Sequence, residues 1–145
     1  MHIEPGVVDG AKIALSYATA AGAFGLTAKM AVDTIRNDGG AAALAMRSIA
    51  TTALVFGFFE LLPHYPVGVS EVHFILGATL YLIFGAGPAA IGLAAGLLFQ
   101  GLLFAPTDLP MYLVNVTTLI VPLWGVSMLA KRIVPSGTPY VDLRY

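Results

Sequence analysis

No cysteine occurs anywhere in the 145 residues. Disulfides, thiolate metal sites and cysteine nucleophiles are therefore excluded. Charge is nearly as scarce. Asp, Glu, Lys and Arg make up 10% of the chain, against about 25% in an ordinary soluble domain. From Val72 to Thr107, a run of 36 residues, there is none at all. One membrane-spanning helix needs about 20 residues, so the run fits two helices with a tight turn between them. The net charge is −1 and no basic patch is present, which excludes nucleic acid as a partner. The Gly-x4-Gly-Lys-Ser/Thr phosphate loop is also missing, so the chain cannot hydrolyse ATP itself. Nothing marks an organic cofactor site. A cleaved leader is not expected, because the chain opens on His2 and Glu4 and not on a basic segment. With bulky His2 next, Met1 is expected to be retained.

What the sequence does have is apolar surface. Hydrophobic residues make up 58% of it, and the mean hydropathy is +0.86. The fold class expected is an all-α integral membrane protein, a multi-pass bundle of about five transmembrane helices in contact with lipid. Helices are expected over about 11–31, 41–62, 71–84, 89–104 and 111–130. Residues 1–130 form one membrane domain, and 131–145 form a polar tail. Gly39-Gly40, the Pro63–Gly68 segment, Gly85–Pro88 and Ala105–Pro110 are the breaks. Gly92 and Gly96 have the GxxxG spacing, and Ala21 and Gly25 share it. Such pairs let helix backbones approach closely in a membrane.

Basic residues set the expected topology. Lys29, Arg36 and Arg47 flank the first interhelical loop, and Lys131, Arg132 and Arg144 follow the last helix. The N-terminal segment has only Lys12, and the loops after the second and fourth helices have neither Lys nor Arg. This places the N-terminus outside and the C-terminus in the cytoplasm, in the cell's inner (cytoplasmic) membrane.

In that topology all three histidines, His2, His64 and His73, fall at the outer face. His2 carries the strongest chemistry. A free α-amine, the amide between residues 1 and 2, and the His2 imidazole can chelate one metal ion together. A second imidazole, from His64 or His73, would complete a set of four nitrogens. Nitrogen donors of this kind favour Ni²⁺ or Cu²⁺, with Co²⁺ possible in another geometry. The amine and imidazoles must be unprotonated, so affinity falls as pH drops. Ser70, Glu71 and His73 lie close together, but their spacing suits a metal site better than a catalytic triad.

The opening Met1-His2-Ile3-Glu4-Pro5-Gly6 resembles the Met-His-Ile-x-x-Gly start of the CbiM/NikM family. These are the membrane substrate-binding subunits of cobalt and nickel energy-coupling-factor transporters. Pro66–His73 is similar to that family's Pro-rich loop ending in Gly-Thr-Ser-x-His. Phe84–Pro88, Leu98–Phe104 and Leu113-Val114-Asn115 resemble further segments of it. The resemblance covers most of Met1 to about Leu123. It implies Ni²⁺ or Co²⁺ as transported substrate, with Met1, His2 and His73 as ligands and His64 left out. Partners implied are ATPase subunits and a coupling transmembrane subunit. Ser70 is implied as a support for a ligand imidazole. Gln100 and Asn115, polar groups in apolar helices, are expected to make hydrogen bonds near the site. Glu71 and Asp108 depart from the pattern and add carboxylates at the metal face. The chain is also shorter than the family's usual length. That leaves an alternative role, an accessory or structural subunit that keeps the fold but does not transport.

Overall fold

A computed structural model describes residues 2–3, 6–63, 65–68, 70–72, 75–134 and 138. The elements run β1 (His2–Ile3), α1 (Gly10–Asn37), α2 (Gly40–Leu61), β2 (Tyr65–Val67), β3 (Ser70–Val72), α3 (Gly77–Phe84), α4 (Ala86–Leu103) and α5 (Tyr112–Ile133). A 3-10 turn, Pro106–Met111, leads directly into α5.

The bundle is helical as expected, but its third helix is shorter than expected. Eight residues make α3 about 12 Å long, too short to cross a hydrocarbon core of about 30 Å alone. A β-hairpin, residues 65–72, occupies most of the expected break and takes the first two residues of the expected helix, Glu71 and Val72. Val67, Ser70 and Val72 alternate with partners across it, with Val67 opposite Ser70 and Tyr65 opposite Val72. Gly68 has φ +64°, which suits the glycine-first turns of two-residue hairpin loops. Valine on both sides of a glycine was the available strand signal. β1 adds to β3 antiparallel, with His2 opposite Glu71 and Ile3 opposite Ser70. The sheet order is β1-β3-β2.

Among the described residues, three helical stretches are long and apolar enough to cross a membrane: Gly40–Leu61, Ala86–Leu103 and Pro106–Ile133. α1 equals the longest of them at 28 residues, but it is diluted by Ser, Thr, Gly and Lys. α4 is the central helix. Of its most apolar window, 61% is buried inside the protein, against 17% for α2. α4 starts earlier than expected, at Ala86. Pro88 thereby falls in its first turn, where a missing N–H costs no helical hydrogen bond.

Glycine explains how α4 packs. A Cβ on Gly92 would lie 2.5 Å from Thr51 Cβ, and one on Gly96 would lie 2.6 Å from Val55 Cγ1. The GxxxG pair is thus the seam between α4 and α2. The Thr51 hydroxyl uses the space to donate to the Pro88 carbonyl at 2.7 Å. The second small pair behaves differently, since Ala21 and Gly25 are both exposed on α1.

Charges gather at the end of the bundle opposite the sheet. Arg47 donates to Asp38 at 2.6 Å. Lys29 donates to Asp33 at 3.1 Å, and Lys131 of α5 approaches the same carboxylate at 3.9 Å. The Lys29 hydrogen bond, aided by nearby positive charge, holds the Asp33 carboxyl below its ordinary range.

Candidate metal-binding face

The end of the bundle that carries the sheet is built around the N-terminal strand. β1 pairs with β3 along one edge. Its Ile3 N–H donates to Asn115 Oδ1 on α5 at 2.8 Å. Asn115 sits in the first turn of α5 and is 1% exposed. Its own backbone carbonyl accepts from the Thr118 hydroxyl at 2.7 Å.

This bond also orients the next peptide. On an extended strand, successive N–H groups point to opposite edges. With the Ile3 N–H directed at α5, the His2 N–H is directed toward β3. β3 ends at Val72, one residue before His73 in the sequence.

Asn115 also lines a cleft of about 10 Å³, room for about one water molecule. Gln100, Asp108, Tyr112 and Asn115 line it. Tyr112 donates to the Ala94 carbonyl at 3.1 Å, tying α5 to α4. Gln100 Oε1 and Asn115 Nδ2 are buried without a hydrogen-bond partner among the described residues. One is an acceptor and the other a donor. The Asn115 carboxamide is oriented by its bond to the Ile3 amide, which requires oxygen on that side.

Of the residues proposed from sequence, Met1, His64 and His73 lie outside the described residues. For His2, Ser70 and Glu71 the backbone alone is described, and β1–β3 pairing brings all three together. The helix expected to start near residue 71 begins at Gly77. Gln100 and Asn115 meet at the cleft, as does Asp108. Among the described residues no three His, Asp or Glu form a metal-sized cluster. Sequence reasoning missed the Ile3 seat. A buried Asn was visible, but its partner was a backbone amide 112 positions away.

A helical membrane protein whose N-terminal strand is seated on its last helix is the class this fold defines. The family model for CbiM, the cobalt uptake substrate-specific transmembrane region, matches residues 2–142. The chain belongs to that family, a component of cobalt uptake that works with other transporter subunits. Comparison with curated proteins and with solved structures returns no match.

Proposed function

We propose that the chain captures Co²⁺ or Ni²⁺ at the face carrying β1 and passes it on for ATP-driven uptake. The ligands are the Met1 α-amine, the His2 amide and imidazole nitrogens, and the His73 imidazole. The ATP is hydrolysed by separate ATPase subunits, joined through a coupling transmembrane subunit in the cytoplasmic membrane. The β1 face is outside, and the end holding Arg47, Lys29 and Lys131 is cytoplasmic.

The observation that carries this is the seating of β1. It sets the His2 amide toward the strand that leads to His73. Metal bound there replaces the amide proton, and the α-amine and imidazole close chelate rings on either side of that nitrogen. The terminal ligands need no thiolate, consistent with a chain that has none. The distribution of basic residues supports the same orientation.

Metal analysis of the purified protein tests the ligand set. The wild type should hold about one Co²⁺ or Ni²⁺ per chain, a stoichiometry that one closed chelate implies. His2→Ala, and a variant with one residue added before Met1, should hold none. Full occupancy in the extended variant would remove the α-amine from the set. Metal binding without any uptake defect on deletion of the gene would assign the chain an accessory role instead.

A further inference from the structure

We propose that Asn115 is the positioning residue of this site, acting on the metal through the Ile3 amide. The inference rests on the ligand set proposed above and goes beyond it. β1 is two residues long and lies at the edge of the sheet. A strand that short is marginal by itself, and a one-residue slip would turn each of its groups to the opposite side. Pairing with β3 alone therefore leaves the direction of the His2 amide weakly specified.

Asn115 supplies the missing constraint. Its oxygen holds the Ile3 N–H at 2.8 Å from the α5 side. That leaves the His2 nitrogen directed at β3. With β1 in place Asn115 is 1% exposed, so little water competes with the Ile3 amide for its oxygen. The seat itself is rigid. It stands on the first turn of α5, which Tyr112 ties to α4. The Asn115 nitrogen makes no bond that competes for this orientation among the described residues. The side chain touches no metal in this arrangement. It fixes the plane of the peptide that follows the chelating one.

The test is titration of the full-length protein in detergent with Co²⁺ alone and with Ni²⁺ alone, reading affinity and stoichiometry separately. Asn115→Leu, similar in size but without an acceptor, should weaken binding roughly 10- to 100-fold, as loss of a supporting hydrogen bond does at metal sites. The number of sites per folded chain should stay the same. Loss of folded protein would instead lower the number of sites and leave the affinity of the remainder unchanged. Asn115→Asp keeps an acceptor oxygen in either protonation state and should recover much of the lost affinity. Ile3→Pro removes the donor from the other side and should weaken binding as Asn115→Leu does. The double variant should be no weaker than either single one, to within about twofold.

Wild-type affinity in a folded Asn115→Leu protein overturns the proposal. So does an Asn115→Asp protein that binds no better than Asn115→Leu. If Asn115→Leu fails to fold, Ile3→Pro carries the test, and unchanged affinity there overturns the proposal. The two levels are separable. Undiminished binding in His2→Ala sinks the ligand set and Asn115 with it. Loss of binding in His2→Ala, with wild-type affinity in Asn115→Leu, sinks the role of Asn115 alone.

Discussion

At the scale of single residues, the glycines of α4 do different work from those of α1. Gly92 is pressed against Thr51, and its lack of a side chain is what lets the Thr51 hydroxyl reach the Pro88 carbonyl. Gly92→Ala should therefore lower stability by roughly 1–3 kcal/mol, the usual cost of overpacking. Gly25 has nothing within 4 Å of where a Cβ would stand. Gly25→Ala should be neutral, or should stabilise by up to about 1 kcal/mol through helix propensity. Thermal unfolding of the two variants in detergent checks the contrast. Equal losses in both would mean that the α2–α4 seam is not where the glycine matters. The GxxxG spacing was legible for both pairs, but spacing alone does not say which face of a helix meets a neighbour. Membrane helices are apolar all round, so periodicity cannot settle it either.

At the scale of elements, the hairpin is where expectation and structure part. Composition made residues 71–84 look like one apolar helix. Local backbone chemistry makes the first part a strand, since Gly68 turns the chain and valines flank it. The remaining helix starts at Gly77. Hydropathy reports burial in lipid or protein and does not by itself separate strand from helix. The hairpin also carries β3, the partner of β1. Gly68→Val places a β-branched residue at φ +64°, at a cost of about 1–2 kcal/mol. The expected outcome is weaker Co²⁺ binding with the helical signal in circular dichroism unchanged. Wild-type affinity in that variant would show that β1 keeps its place without the hairpin. Of the candidate site, the terminal residues could be proposed from sequence because chelate chemistry depends only on their order. The support beneath them was not, because it joins opposite ends of the chain.

At the scale of the whole molecule, two polar ends bound an apolar middle. One end holds the sheet, and the other holds Asp38 with Arg47 and Asp33 with Lys29 and Lys131. The absence of cysteine makes their orientation easy to measure. Val7→Cys, near the sheet, should react with a membrane-impermeant thiol reagent on intact cells. Asn37→Cys, at the charged end, should react only after the membrane is opened. The reverse pattern would invert the proposed topology. Composition made the membrane bundle legible at this scale. The number of full crossings was not, because α3 is a partial helix preceded by extended chain.

The bond between Ile3 and Asn115 joins residues 112 positions apart. A ribosome therefore makes the strand first and its seat almost last. The face proposed to capture metal can close only after the helices between them have entered the bilayer and α5 has arrived. Until then the proposed chelating terminus is unsupported, and nascent chains halted before α5 should leave metal in the surrounding medium.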